Sequence, residues 1–250
     1  MQGRLQPTLL LYYEDAYIKE FTAKVLAIHK ATEHYKIVLD QTVFYPLGGG
    51  QPPDRGTIKG ANGEATVEEV RIENGTVIHF GDVKGSIVDG ETVTGNIDWN
   101  RRYTLMRNHT LAHLMAEAIR RATGVSSEVV SSGLDLDKAR LDIAHQSSLG
   151  PFLSEIQKVA NAVINENRSV EIKTLQRNEA EGYVARFHES LKTLPPQVQS
   201  VRIVEVKDWH ACACGGTHVK STGEIGGAEI LRRMSKGKGV ERIEFRAKTS

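Results

Sequence analysis

Residues 101–123 read RRYTLMRNHTLAHLMAEAIRRAT, and this stretch decides how the chain divides. Its apolar residues recur at helical spacing, at positions 105, 111, 114, 115, 118 and 119, which predicts one long helix ended by Gly124. Before it, short segments rich in Val, Ile and Thr predict strands at residues 21–29, 35–39, 65–72, 76–80 and 92–97. After it, the patterns predict helices at 150–165 and 177–186, and strands at 200–206, 228–235 and 240–248.

These elements predict an α+β protein with two domains. Residues 1–97 are expected to form a small glycine-rich, β-barrel-like domain, because strands this short and closely spaced are typical of barrels and sandwiches. Residues 98–250 are expected to form an α+β domain. The chain has 250 residues, of which 40% are hydrophobic and 25% charged. Such a chain can bury a real core and is not of the disordered class.

The charge of the chain is nearly balanced but unevenly placed. The formal net charge is +1, so the whole protein is not a polycation. The end of the sequence is the most basic part, because there only Glu241 and Glu244 oppose seven cationic residues: Arg232, Arg233, Lys236, Lys238, Arg242, Arg246 and Lys248. Charge alone leaves two interpretations open, a phosphate-binding surface and an ordinary solvated strand pair.

Cysteine usage and hydropathy indicate the compartment. The only two cysteines, Cys212 and Cys214, are separated by one residue, which excludes the disulfide framework of a small secreted protein. No apolar run approaches the roughly 20 residues that span a bilayer. The apolar patch within residues 1–15 is too short for a signal peptide. We therefore expect a cytoplasmic protein without a membrane segment, whose reduced thiols can bind metal.

Two compact pairs of residues predict a metal site. His109 and His113 are four residues apart on the predicted helix, so that both imidazoles lie on one face. Cys214 and His218 belong to a Cys-Gly-Gly-Thr-His segment. Each pair alone has an ordinary explanation, a chance spacing or a buried thiol beside a glycine turn. Together they predict one zinc ion per chain, because imidazole and thiolate are the preferred zinc donors.

The identity of the thiol and the role of the metal stay open at this point. Cys212 could replace Cys214, although we favour Cys214 because the two glycines follow it directly. Four protein ligands make a structural zinc site, whereas three ligands and a water make a catalytic one. The sequence leaves open whether His218 stays bound or gives up its place.

Residues 39–56 read LDQTVFYPLGGGQPPDRG and predict a loop. It lacks the Gly-Lys-Ser/Thr of a nucleotide-binding loop. The loop is either a structural corner of the barrel or a segment whose bare backbone can approach a partner closely.

Four segments, in order along the chain, resemble the editing module of alanyl-tRNA synthetase. They resemble even more its free-standing relatives, the AlaX proteins of the medium-length (AlaX-M) type. The segments are TVFYPLGGGQ at 42–51, MRNHTLAHL at 106–114, CGGTHV at 214–219 followed by TGEIG at 222–226, and SKGKGVERI at 235–243. The resemblance covers essentially the whole chain, and only Cys212 stands where an acidic or polar residue is expected.

The resemblance implies a zinc-dependent trans-editing hydrolase that deacylates Ser-tRNA(Ala) and, in some members, Gly-tRNA(Ala). It implies zinc ligation by His109, His113, Cys214 and His218. It also implies that Thr42 recognises the serine hydroxyl, so the expected catalytic residues are Thr42, His109 and His113. We assign the tRNA contacts to the bare loop backbone and to two basic residues of the tail: Gly48, Gly49, Gly50, Gln51, Lys236 and Lys238.

The chemistry is consistent with this expectation. A pocket for alanine poorly excludes serine, which adds only one hydroxyl, so a second site that recognises the hydroxyl is useful. Three alternatives remain: an editing fragment of a longer synthetase, a non-catalytic zinc-stabilised tRNA-binding module, and a hydrolase of free amino esters or amides. We disfavour the first because the sequence contains no aminoacylation domain or ATP-handling arginine motif. A monomer is favoured.

Overall fold

The structure is a computed structural model that describes residues 6–31 and 33–248. Residues 1–5, which begin the N-terminal segment considered above, lie outside the described residues. The chain forms two compact units, Met1–Tyr103 and Thr104–Ser250. Both helices and sheets are present, as the α+β prediction requires. The expectation that residues 1–97 and 98–250 are separate domains stays a prediction.

Among its described residues, the first unit contains eight strands, six of which close into a barrel in the order β2-β3-β7-β6-β5-β8. The barrel predicted from the short, closely spaced strands is therefore confirmed. The two remaining strands, β1 and β4, pair in parallel. The strands are β1 Leu9–Leu10, β2 Glu20–Lys30, β3 Tyr35–Leu39, β4 Gln41–Thr42, β5 Gly56–Lys59, β6 Asn62–Glu73, β7 Thr76–Ser86 and β8 Thr92–Ile97.

Alternation of apolar and polar residues builds the barrel core. In β2 the side chains of Phe21, Ala23 and Val25 are buried, while the residues between them are exposed, because successive side chains of a strand point to opposite faces. The long β6–β7 hairpin turns at Asn74 and Gly75, which both have positive φ, as a two-residue hairpin turn requires. Both strands of this hairpin extend beyond the predicted ranges into segments that have no apolar alternation.

A fully buried ion pair holds the segment after β4. Asp54 and Arg102 are both 0% exposed. Nε of Arg102 donates to Oδ1 of Asp54 at 3.0 Å, and its Nη2 donates to Oδ2 of the same carboxylate. The remaining donors reach the carbonyl oxygens of Ala16 and Val43, at 2.8 and 2.6 Å. Asp54 in turn accepts the backbone N–H of Tyr45. A buried charge pair of this kind is tolerated because nearly every polar atom has a partner.

The long predicted helix is present as α1, Trp99–Thr123, and Gly124 follows it with a φ of +69°. The helix begins in the first unit and continues into the second. The other α-helices and strands described in the second unit are β9 Val129–Leu134, β10 Ala139–Ala144, α2 Leu153–Asn165, β11 Val170–Gln176, α3 Arg177–Ala185, β12 Ser200–Val206, β13 His210–Ala213, β14 Ala228–Gly237 and β15 Val240–Ala247.

Two antiparallel sheets are present in the described part of the second unit. One contains four strands in the order β14-β15-β10-β9, and the other contains β11-β12-β13. Helix α2 is joined to β14 through Asn161, whose side-chain amide exchanges two hydrogen bonds with the backbone of Ala228. Helix α3 packs Ala180 and Val184 into the core of the three-stranded sheet. In the described part of the chain, every helix is too short or too polar to cross a membrane.

Candidate metal centre

Helix α1 brings His109 and His113 together. The two residues are one turn apart, and the centroids of their imidazole rings are separated by 5.4 Å. Both side chains are largely buried. The predicted pairing of the two histidines on one helix face is thus present.

The segment after β13 brings the second pair to the first. Sγ of Cys214 lies 3.5 Å from Nε2 of His109 and 3.3 Å from Nε2 of His218. The donor atoms of His109, His113, Cys214 and His218 all lie within 4.8 Å of one another. Pairs that are about 100 residues apart in the sequence therefore converge on one point.

The donor set and its spacing fit a zinc ion. Tetrahedral bonds of about 2.3 Å to sulfur and 2.1 Å to nitrogen place the two donor atoms about 3.6 Å apart, close to the observed sulfur–nitrogen distances. Burial, with a smaller effect of the charge of Arg202, lowers the pKa of His109 to about 3. Burial also lowers the pKa of His113 and His218. The three imidazoles are therefore neutral at neutral pH, which is the form that binds metal.

Thr110, which lies between the two histidines in the sequence, selects the tautomer of His218. Its hydroxyl donates to the carbonyl oxygen of Met106 at 2.9 Å and accepts the backbone N–H of Val219 at 3.2 Å. Nδ1 of His218 lies 3.1 Å from the same hydroxyl oxygen. A hydroxyl has only one proton to donate, so Nδ1 must be the donor of this bond. The lone pair of the neutral ring is then on Nε2, which faces Cys214.

Arg202 places a positive charge beside the cluster. It lies on β12, and its Nη1 donates to the carbonyl oxygen of Cys214 at 2.6 Å. Its backbone carbonyl accepts the N–H of Cys214 at 3.1 Å. Neither Thr110 nor Arg202 was predicted from the sequence. The motif 106–114 contained the first, but an arginine within a strand gives no signal of a site in a single sequence.

Cys212 lies in a neighbouring group. Its Sγ is 3.6 Å from Nδ1 of His113, and it groups with His113 and His210. The structure thus places Cys214, rather than Cys212, among the four converging donors. Ligation itself stays a prediction.

Thr42 lies in the first unit and is completely buried. Nδ1 of His79 donates to the carbonyl oxygen of Ile37 at 3.0 Å, so its Nε2 carries the lone pair. The Thr42 hydroxyl, 2.9 Å away, therefore donates to Nε2 of His79, and it accepts the N–H of Phe44 at 3.1 Å. The hydroxyl thus has two hydrogen-bond partners within the protein, and its recognition of serine stays a prediction.

Residues 48–51 form a tight turn. The backbones of Gly48 and Gln51 exchange two hydrogen bonds, and Gly49 and Gly50 between them have positive φ. Both central glycines are exposed, whereas Gln51 is fully buried. Only the tip of the turn is thus available to a large partner. The assignment of tRNA contacts to this segment stays a prediction.

The basic tail is less cationic than its sequence indicates. Four of its arginines form ion pairs, two of them with acids that lie outside the tail: Arg232–Glu244, Arg233–Glu241, Arg242–Asp142 and Arg246–Glu229. The acids within the tail therefore understate its charge pairing, because neighbouring strands supply Asp142 and Glu229. Lys236 and Lys238 are both exposed near the β14–β15 turn.

Comparison with known proteins gives a consistent picture. Two family descriptions match, "tRNA synthetases class II (A)" over residues 6–101 and "Threonyl and Alanyl tRNA synthetase second additional domain" over residues 201–244. The alanyl-tRNA editing protein AlaX-M of Methanosarcina acetivorans is 37% identical over 245 residues, which cover 95% of this chain and 98% of the relative. That of Methanosarcina barkeri is 38% identical with the same coverage.

Alanine–tRNA ligases also match. That of Pyrococcus furiosus is 42% identical over 243 residues, which cover 96% of this chain and 26% of the ligase. The ligase of Sulfurisphaera tokodaii is 39% identical, again over 26% of its length. The chain thus spans about a quarter of the length of these ligases. The full-length similarity to the shorter relatives shows that the chain belongs to the AlaX-M family of alanyl-tRNA editing proteins, which is homologous to the editing domain of alanyl-tRNA synthetase.

Proposed function

We propose that this protein hydrolyses the ester bond of mischarged Ser-tRNA(Ala), acting in trans to the ligase. The convergence of His109, His113, Cys214 and His218 is the observation that carries the proposal. Aminoacyl-tRNA is an ester, and a zinc ion held by these residues supplies the Lewis acid for its hydrolysis.

The chain's own residues have separate tasks in this proposal. His109, His113, Cys214 and His218 hold the ion, and Thr110 keeps Nε2 of His218 available to it. Arg202 adds a fixed positive charge beside the cluster. Such a charge stabilises the negative charge that develops on the ester oxygen during hydrolysis.

Substrate choice is assigned to Thr42. Since the proton of its hydroxyl goes to His79, the hydroxyl oxygen would act as acceptor for the serine hydroxyl. An alanyl ester cannot make this bond, so it would not be favoured. The exposed tip at Gly49 and Gly50 and the side chains of Lys236 and Lys238 are proposed to contact the RNA backbone.

One experiment tests the function. Ser-tRNA(Ala), Gly-tRNA(Ala) and Ala-tRNA(Ala) are incubated with the protein, with and without a zinc chelator, and release of the amino acid is followed. We expect hydrolysis of the seryl ester, little hydrolysis of the alanyl ester, and loss of turnover on chelation before the protein unfolds. Binding of tRNA without turnover would indicate a non-catalytic zinc-stabilised module instead. Hydrolysis of a small seryl ester that competing tRNA leaves unchanged would indicate a hydrolase without a tRNA partner.

The chain matches about a quarter of the length of the alanine–tRNA ligases. This match favours one other candidate, the editing part of a ligase. Aminoacylation of tRNA(Ala) by the protein isolated from its own cells would support that candidate. We expect no such activity, and we expect a cytoplasmic monomer with one tightly bound zinc ion. Sedimentation and metal analysis test the last two expectations.

A further inference from the structure

A second group of metal-binding side chains adjoins the first. His210 and Cys212 are two residues apart on β13, so their side chains lie on the same face of the strand. Sγ of Cys212 lies 3.6 Å from Nδ1 of His113 on α1. The donor atoms of His113, His210 and Cys212 lie within 4.8 Å of one another. The sulfur–nitrogen distance again matches the edge of about 3.6 Å that a tetrahedral zinc-type site requires.

His210 has the hydrogen bonding of a metal ligand. Its Nε2 lies 3.1 Å from Oε1 of Glu189. A carboxylate oxygen accepts this bond, so Nε2 is the donor, and in the neutral ring Nδ1 then carries the lone pair. Metal-binding histidines are commonly held in this way by a carboxylate on the nitrogen that does not bind.

The lone pair on Nδ1 of His210 is itself unexplained by the fold. His210 is only 3% exposed, and in the described part of the chain Nδ1 is buried without a hydrogen-bond partner. A buried acceptor without a partner is unfavourable and rare in native proteins. A cation bound between His210, Cys212 and His113 would satisfy it.

We propose that His113, His210 and Cys212 form a second site for a thiophilic divalent cation of the Zn²⁺ or Cd²⁺ class. Thiolate and imidazole donors select such ions over Mg²⁺ and Ca²⁺. The site has three protein donors and shares His113 with the four-residue centre. Because a neutral imidazole has one lone pair, His113 releases its ring proton to solvent and bridges the two ions as an imidazolate when both sites are filled. The second site therefore binds more weakly than the four-residue centre and fills only after it. The inference does not depend on the deacylase function.

Titration of the full chain with Cd²⁺ tests the site, with the cadmium–thiolate charge-transfer absorbance as the readout. The wild-type absorbance should rise over two equivalents, because each ion gains one thiolate. Cys212→Ser should retain the first equivalent and lose the second. Glu189→Gln should weaken the second step by about 10–100-fold and leave the first unchanged. Glu155→Gln, an exposed acid on α2, is the matched control and should change neither step.

Three results would overturn the proposal. Saturation of the wild-type absorbance at one equivalent would show that Cys212 only hydrogen-bonds His113. A second equivalent that survives in Cys212→Ser would place the ion elsewhere. Loss of the first equivalent in Cys212→Ser would assign Cys212 to the four-residue centre. If circular dichroism shows that Cys212→Ser is unfolded, the Glu189→Gln titration decides alone, and an unchanged second step there rejects the site.

Discussion

The hydroxyl oxygen of Thr110 lies 3.1 Å from Nδ1 of His218, so the helix that carries His109 and His113 also orients the third imidazole. Thr110→Val keeps the side-chain shape and removes this hydrogen bond. We expect zinc affinity to fall by about 10–100-fold, as for other residues that hold a metal ligand. Competition with a chromophoric chelator measures it. Thr110→Ser retains the hydroxyl and should bind nearly as wild type; equal affinity in the valine variant would show that His218 needs no such partner.

The choice between the two thiols can be tested by metal analysis of purified protein. We expect one zinc per chain in the wild type, and an empty centre in Cys214→Ser and His109→Ala, because each removes one of four converging donors. Cys212→Ser should retain its zinc. Full occupancy in Cys214→Ser together with loss in Cys212→Ser would mean that the wrong thiol was chosen.

Thr42→Val is expected to affect both stability and substrate choice. Nε2 of His79 and the N–H of Phe44 would each lose their partner, which costs about 1–3 kcal/mol per buried group. Hydrolysis of Ser-tRNA(Ala) should also slow while that of Ala-tRNA(Ala) does not. Urea unfolding and kcat/KM on both substrates separate the two effects.

Thr42→Ser is the control for this experiment, because it keeps the hydroxyl and should resemble wild type in both assays. A valine variant that is destabilised but hydrolyses both substrates at wild-type rates would assign Thr42 a purely structural role.

Charge removal near the β14–β15 turn should weaken tRNA binding. Lys236→Gln and Lys238→Gln should each reduce the slope of log Kd against log salt by about 0.7–0.9, because each phosphate contact releases a counterion. Arg246→Gln is the matched control, since Arg246 is paired with Glu229 and should have a smaller effect. Slopes that are equal in all three variants would remove this turn from the RNA-binding surface.

Burial lowers the pKa of His79 from 6.5 to about 4, so the folded state favours the neutral ring. The corresponding stabilisation is complete above pH 6.5 and is lost as the pH falls towards 4, by about 3 kcal/mol in all. His79→Gln retains one donor and one acceptor but does not titrate, so its stability should fall less steeply over this range. Urea unfolding of both proteins from pH 7 to 4 checks the difference, and parallel curves would contradict it.

Sequence patterns predicted the elements in which the helix or strand preference of the residues agrees with their tertiary packing. The strands at 35–39, 92–97 and 200–206 have the predicted bounds, because their apolar residues alternate or are β-branched. Strand β13, which reads His-Ala-Cys-Ala, was missed because it contains no β-branched residue. It pairs with the apolar β12, and that tertiary context determines its structure.

The site could be predicted only where its residues are close in sequence. The pairs His109–His113 and Cys214–His218 have recognisable spacings, and their convergence required only the assumption of one shared ion. Arg202 and Asp142 could not be assigned, because their partners Cys214 and Arg242 are selected by strand register. The orientation of a hydroxyl and the tautomer of an imidazole, as at Thr110 and His218, follow from the complete set of hydrogen bonds. No local sequence pattern encodes them.

The buried pair of Asp54 and Arg102 limits where the gene can be cut. A fragment that ends at residue 97 would retain the carboxylate without its guanidinium, and a fragment that begins at residue 98 would carry the guanidinium without its carboxylate. The first piece would contain a buried carboxylate without its partner, and breaking a buried pair in this way costs about 3–5 kcal/mol. A barrel-only expression clone should therefore extend to at least Tyr103, and recombination between relatives should preserve these two positions as a unit.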